Sequence, residues 1–406
     1  MALPKYIVAQ VGARRRYAVP AILASAGMLA RFYTDMCGNL GFGRLLAFGA
    51  PLSAGLARLA GRQVPSNVTP LTRTFPLRTA FHVCRERFTD VRSDERYRAN
   101  LRWQCELGRA AIRPGFLDAT HFYSMLGEFP TLVVAAKNRG LRVVSEVYIL
   151  LTTERILAEE RRRFPSWDSD CQDLDPIRRE FFADDVLLTH TDFFICPSEV
   201  VRNDLTFNQG IAHQSTAVVP YGIDPRLLEL PPDPRRGRVL FAGTAELRKG
   251  IHYLAMAAEK LVGRGLSAEF RIAGNVSPAV ANQSMCRHLV FLGRVPHHRI
   301  HEEFQTADLF VLPSLAEGSA EVIYEALAAG LPVITTKSAG SVVRDGIEGK
   351  IVPERDPNAL ALAIEELIED RVMRDRMAVA ARQRAKDFTW EHYGERLLFQ
   401  LRGLSQ

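Results

Sequence analysis

The sequence predicts an α/β protein made of two doubly wound, parallel-sheet domains, and three observations point there. Short apolar runs of strand type alternate with longer runs of helical period along much of the chain, the pattern that places helices on both faces of a parallel sheet. The 406 residues suffice for two domains of about 200 residues, each with a sizeable core. A prolyl, polar stretch, Pro231, Pro232, Asp233, Pro234, Arg235, Arg236 and Gly237, interrupts the pattern beyond the midpoint as a linker does.

In order, residues 6–10 (YIVAQ) read as a first strand that turns at Val11 and Gly12 into Arg14, Arg15 and Arg16, then a helix ending near Gly27. A second strand over residues 31–35 completes a βαβ start. Residues 38–105 hold Gly, Pro and basic residues with an amphipathic segment around 45–62, and yield no standard strand assignment. Order returns at Asp118, Ala119, Thr120 and His121, read as a strand end, where ligands of open α/β sheets gather. A strand over residues 141–146, a helix over 178–192 and a strand over 193–196 follow. Glu146, on the first of these strands, reads equally as a cleft residue and as a structural carboxylate. Beyond the linker, strands at 239–242, 269–274, 289–292, 309–312 and 332–335 alternate with helices. The expected domains are residues 1–225, a linker 226–238, a second domain 239–387 and a terminal helix 388–406.

Composition narrows the class. With 47% hydrophobic and 24% charged residues the chain fits a soluble globular protein. Six cysteines are scattered without a CxxC pair, which favours reduced thiols in a cytoplasmic setting. The apolar run ending at Val11 is too short for a signal peptide. Residues 45–60, interrupted by Gly49, Pro51 and Gly55, are too short to span a membrane. The net charge of +6 is unevenly spread, since residues 1–113 hold 18 Lys/Arg against 6 Asp/Glu. That excess fits an anionic membrane surface or a phosphate-bearing acceptor, and equally an arginine-rich solvated surface. No aromatic-interleaved basic platform marks a nucleic-acid partner.

The chemistry concentrates at residues 317–325 (EGSAEVIYE). Glu317 and Glu325 stand eight residues apart across a small-residue turn, Gly318, Ser319 and Ala320, that leads into an apolar helical run. Eight helical residues rise about 12 Å, the scale separating a nucleotide's ribose from the sugar beyond its diphosphate. One carboxylate can hold ribose hydroxyls and the other the sugar, with the helix N-terminus taking phosphates between them. Lys249, just after a strand-to-helix turn, suits a diphosphate and the charge that builds as it departs. Arg248 is a second cation there.

These residues resemble the family 4 glycosyltransferases, whose GT-B fold has two facing Rossmann-like domains and a C-terminal crossover helix. The resemblance rests on Glu317-x7-Glu325 followed by Gly330, Leu331, Pro332 and Val333. It extends to residues 310–314 (FVLPS), 239–243 (VLFAG) with Arg248, Lys249 and Gly250, residues 220–224 (PYGID) and 196–199 (CPSE), so that it covers about residues 118–400 in order. It implies a retaining transferase that moves a sugar from a nucleotide diphosphate-sugar to a saccharide or lipid-linked acceptor in cell-surface polysaccharide or glycoconjugate synthesis. It implies no required metal or cofactor, and a cytoplasmic protein that can lie on the membrane's inner face. Glu317, Lys249 and His121 take catalytic roles; Glu325, Arg248, Gly243, Gly318, Ser319 and Ala320 hold the donor. Gly12, Arg14 and Arg15 replace the glycine pair that many relatives carry after the first strand. Thr244 stands where many relatives have an arginine, and Tyr123 where they often have a second histidine. A nucleotide-sugar 2-epimerase on the same fold, or a non-catalytic sugar-nucleotide-binding partner, are the alternatives.

Two other signals are set aside. Asp168 with Asp170 and Asp173 with Asp175 resemble a metal-binding DxD pair, yet precede a helix and fit loop solvation and capping. His297, His298 and His301 have only partial metal spacing, without a completing ligand nearby. No GxGxxG dinucleotide fingerprint follows a strand.

Overall fold

A computed structural model of the chain describes residues 3–88, 93–168, 181 and 186–404. Asp170, Cys171, Asp173, Asp175 and residues 178–180 and 182–185 of the helix expected at 178–192 lie outside the described residues, as do the side chains of His297 and His298; the described end of that helix runs over Val186–Thr189.

Two parallel sheets organise the molecule. The first contains β1 (Tyr6–Gln10), β2 (Leu29–Thr34), β3 (Thr72–Thr74), β4 (His121–Met125), β5 (Arg142–Glu146), β6 (Phe193–Cys196) and β7 (Thr216–Val218), in the order β3-β2-β1-β4-β5-β6-β7. The second contains β8 (Arg238–Ala242), β9 (Glu269–Ala273), β10 (Leu289–Gly293), β11 (Leu309–Leu312), β12 (Val333–Thr336) and β13 (Gly349–Val352), in the order β10-β9-β8-β11-β12-β13. Strand order reverses between β1 and β4 and between β8 and β11, so each sheet opens a crevice at the carboxyl ends of those strands. The central strands β1, β4 and β11 are buried at every position, which is why β11 and most of β1 read as apolar runs without alternation.

The stretch left unassigned at 38–105 holds the helices Gly41–Ala47 and Ala54–Ala60, the short edge strand β3, the helix Pro76–Phe88 and the start of Ser93–Ile112. Ser53 caps the second of these by accepting from the Leu56 amide at 3.2 Å. Strand β3, at three residues, is too short to give a periodic signal.

One placement corrects the sequence reading. His121 does not end a strand; it opens β4, paired with Tyr6 at the start of β1. It therefore stands at the amino edge of the sheet, a strand's length of about 15 Å from the crevice. There it is buried against the Tyr6 ring at 4.7 Å, with Nδ1 at 2.8 Å from Thr120 Oγ1. Burial, with Arg142 nearby, pushes its pKa down to about 4, so it is neutral at pH 7.

The halves are joined at two crossing segments. Ile223 donates to the Phe388 carbonyl at 2.8 Å, and Gly222 lies so close to Trp390 that a Cβ there would meet the ring at 2.6 Å. The terminal helix Trp390–Gly403 then packs on the first domain, where Tyr6 Oη donates to the Leu401 carbonyl at 2.9 Å. A second junction is a buried carboxylate. Glu160, on the helix Thr153–Arg163, meets His252 at 3.0 Å, Arg355 at 2.7 Å and the Tyr253 hydroxyl, all from the second domain. Burial alone would raise the Glu160 pKa, but these hydrogen bonds prevail and hold it at about 2. Among the described residues no helix is long and apolar enough to cross a membrane.

Candidate donor site

The second domain's crevice assembles most of the residues singled out in the sequence. Gly243 ends the β8 turn at φ 136°, a conformation side chains rarely adopt, and a Cβ there would lie 3.0 Å from Lys249 Nζ. The glycine thus leaves room for the lysine to fold back over the turn. Residues 247–249 form a single 3-10 turn closed by Gly250 in the left-handed region, where any Cβ would strike the Pro313 carbonyl at 2.0 Å. From this turn Lys249 Nζ reaches Glu317 Oε1 at 3.0 Å and Arg248 reaches Glu317 Oε2 at 2.7 Å. Arg248 also contacts Glu246 at 2.6 Å and donates to the Ala316 carbonyl at 3.2 Å. Burial opposes the arginine's charge, yet Glu317 and Glu246 raise its pKa above the ordinary value.

Glu317 lies in the loop from β11 to the helix Glu321–Ala328. That helix begins at Ala320 without a side-chain cap, which leaves first-turn N–H groups for an anion. Glu325 sits one turn in. Burial, reinforced by the Glu321 charge and opposed by Arg16, pushes its pKa up to about 7, as a carboxylate held out of water without a close cation must be. Within the small-residue turn the roles divide. Ser319 Oγ turns inward to Tyr324 Oη at 3.0 Å, and the Ala320 amide is taken by the Ala339 carbonyl at 3.2 Å. Gly318 is a point of domain contact: a Cβ there would fall 1.9 Å from the Tyr148 carbonyl, and its own carbonyl accepts from Ser198 Oγ at 2.5 Å. Both partners follow carboxyl ends of first-domain strands, β5 and β6. The crevice therefore has walls from both domains.

The three arginines after β1 behave differently. Arg15, Arg16 and Tyr17 are consecutive non-glycine residues at φ 46°, 51° and 62°, each costing roughly 1–2 kcal/mol. Such strain persists where neighbours over-determine it, and here every guanidinium has a carboxylate. Arg14 meets Glu128 at 3.0 Å. Arg15, buried, pairs with Glu146, reaches Glu321 of the second domain at 3.3 Å and lies 3.8 Å above the Tyr221 ring. Arg16 pairs with Asp224 at 3.1 Å. The Val11 and Gly12 amides, open to phosphates in a glycine loop, donate instead to Glu128 at 2.8 Å and Asp35 at 2.9 Å. Glu128 is buried enough that its pKa is pushed up to about 7, despite Arg14. Gly12, Arg14 and Arg15 thus form a self-paired junction, and Glu146, whose other oxygen accepts from Tyr123 Oη at 2.6 Å, belongs to its buried framework.

Glu128, Asp35, Tyr148 and Ser198 were missed as contributors. Glu128 follows the end of β4, a signal available once that strand is correctly bounded, and Tyr148 follows β5, whose bounds agree with the sequence reading within one residue. Asp168 accepts from Arg161 Nε at 2.9 Å, a local pairing on the chain's own surface.

Residues 236–370, spanning β8 to β13, match the family model described as Glycosyl transferases group 1. The chain is 27% identical over 317 residues to a glycogen synthase of Mycobacterium tuberculosis (strain CDC 1551 / Oshkosh), covering 72% of this chain and 73% of that protein. It is 33% identical over 165 residues to a phosphatidyl-myo-inositol mannosyltransferase of Mycolicibacterium smegmatis, covering 39% of this chain and 43% of that one. In fold it is similar to Anabaena HepE, solved with UDP and glucose (TM-score 0.62, 15% identity, 98% of this chain and 100% of that one). A sucrose-phosphate synthase from Thermosynechococcus elongatus is also similar (TM-score 0.66, 18% identity, 99% of each chain). A strand-end cation pair on a glutamate, an uncapped helix beside it, two facing parallel sheets and these similarities lead to one conclusion: the chain has the GT-B fold, and its residues 236–370 form a domain of the kind described as Glycosyl transferases group 1.

Proposed function

We propose that this protein is a retaining glycosyltransferase that moves a hexosyl group from a nucleotide diphosphate-sugar to a saccharide or lipid-linked acceptor in cell-surface polysaccharide or glycoconjugate synthesis. The observation that carries this is the convergence of Arg248 and Lys249 on Glu317 beside an uncapped helix N-terminus. Without ligand, Glu317 neutralises both cations. A diphosphate arriving at the helix end takes them over and frees Glu317 for sugar hydroxyls, while Glu325 accepts from the ribose. In transfer, the bond from the anomeric carbon to the phosphate oxygen breaks and a bond to the acceptor oxygen forms on the same face. The acceptor proton passes to the departing phosphate oxygen, and Lys249, Arg248 and the helix end stabilise the charge left on the diphosphate. No metal or cofactor is required in this scheme, because those three groups supply the positive potential. UDP with glucose in the Anabaena neighbour supports a nucleotide-sugar donor. On this reading the protein works at the cytoplasmic side of a membrane, within reach of an anionic surface.

The experiment is a calorimetric panel of UDP, GDP and ADP, followed by transfer assays with sugar conjugates of whichever binds and assignment of the product anomer by NMR. Binding of one nucleotide diphosphate with release only when acceptor is present supports a transferase. Binding without turnover supports a silent partner, and an inverted anomer refutes retention.

A further inference from the structure

We infer that the helices Gly41–Ala47 and Pro76–Phe88 form a face that seats the first domain on an anionic lipid surface. This rests on the transferase reading only for what the membrane supplies, a lipid-linked acceptor.

The segment over residues 36–85 contains six arginines and not one Asp or Glu. Its nearest carboxylates in sequence are the bordering Asp35, which pairs with Arg62, and Glu86, so an arginine excess remains over the segment. The two helices pack beside one another, and both present large apolar side chains to solvent. Leu45 is 65% exposed, Phe48 78%, Leu77 75% and Phe81 69%. Leu77 and Phe81 lie one turn apart, on one helix face. Isolated exposed apolar residues need no explanation, but a cluster across two neighbouring helices does. Arg44 and Arg73 are exposed on the same segment, and Arg78 is half-buried.

Apolar side chains flanked by arginines, with no acid between them, are the chemistry of a headgroup layer: aromatic and leucine side chains enter the acyl boundary and guanidinium groups meet lipid phosphates. A free phosphate would use the arginines and leave the apolar surface in water. A lipid surface satisfies both.

The position fits a membrane-held acceptor. Helix Gly41–Ala47 follows the carboxyl end of β2, and Pro76–Phe88 follows that of β3. Seven helical residues span only about 10 Å, so the first helix stays near that edge of the sheet. The edge also carries the junction after β1, tied to it by Asp35, which accepts from the Gly12 amide at 2.9 Å and from Arg62 at 2.8 Å. The lipid face and the crevice thus share one rim of the first domain, and an acceptor head could rise from bilayer to crevice.

The test is co-sedimentation of the full chain with phosphatidylglycerol-containing vesicles and with pure phosphatidylcholine vesicles. The parent should pellet with the anionic vesicles at low salt and be released as salt rises toward 0.5 M. The fourfold variant Leu45→Ser, Phe48→Ser, Leu77→Ser, Phe81→Ser should lose about tenfold or more in partitioning, while Phe399→Ser, an exposed residue on the terminal helix, should behave as the parent. Circular dichroism and nucleotide titration establish that each variant is folded. Parent protein that ignores anionic vesicles, or a fourfold variant that binds them like the parent, overturns the inference. So does a parent dimer that the fourfold variant dissolves, which would assign the face to a second copy. Nucleotide binding without vesicle binding sinks the lipid face alone; vesicle binding without any nucleotide binding sinks the transferase reading alone.

Discussion

The turns after β1 and β8 occupy the same place in their sheets and do opposite things with their arginines and lysines. After β8, Gly243 clears space for Lys249, and two cations share Glu317 at the mouth of a crevice. After β1, three successive arginines each find a carboxylate of their own: Glu128, the Glu146 and Glu321 pair, and Asp224. Topology alone marks both turns as anion sites. What separates them is how the carboxylates are shared. The first sheet brings Asp35, Glu128 and Glu146 to its turn, so cations there serve architecture; in the second, Lys249 and Arg248 share Glu317, with Glu246 on Arg248 alone, beside an uncapped helix end.

The sharpest break would come from exchanging roles. Arg15→Ala leaves Glu146 buried without its partner and should cost about 3–5 kcal/mol of stability, read by urea unfolding. A variant as stable as the parent would show that the junction is not structural. Next in size, Lys249→Ala and Glu325→Ala should each weaken nucleotide diphosphate binding by roughly 1–3 kcal/mol with little loss of stability. Glu317→Gln sharpens the division further. It should leave nucleotide affinity nearly intact and cut transfer, since its expected partner is the sugar; a matching loss of affinity would merge the two glutamates' roles.

The smallest expected effect is in pH. Glu325 titrates near 7 in the folded protein against an ordinary 4.5. Between those values the native state holds a proton that the unfolded chain has lost, so this group's contribution to stability falls as pH rises through the window. Glu325→Gln should therefore lose about 1–2 kcal/mol less than the parent from pH 4.5 to 7. Nucleotide affinity of the parent should also rise from pH 6 to 8, as the ionised carboxylate accepts from ribose, and that rise should vanish in the variant.

The same contrast explains what could be read in advance. The grouping of Glu317, Glu325, Lys249 and Gly243 around one crevice was legible because their placement is local, set by a turn, a helix start and fixed spacing within a segment of strong strand-helix alternation. The fold class was legible for the same reason, since buried parallel strands such as residues 309–312 give unbroken apolar runs. The β1 turn was not legible. Its arginines are explained by Glu128, Glu146 and Asp224, between 114 and 208 positions away in the chain for the pairs of Arg14 and Arg16, and sequence shows a cation without its partner. His121 failed through a boundary: one apolar strand shifted by its own length carries a residue from crevice to opposite edge. Residues 41–74 failed because two seven-residue helices and a three-residue edge strand present too few periods to count.

Calorimetric titration of the nucleotide diphosphate that the panel identifies, into the parent, Lys249→Ala and Arg14→Ala side by side, tests the difference between the two turns most directly. The lysine variant should bind more weakly by about fivefold or more, and the arginine variant should bind like the parent. Loss of affinity in Arg14→Ala with none in Lys249→Ala would place the donor's phosphates on the first domain and contradict the account.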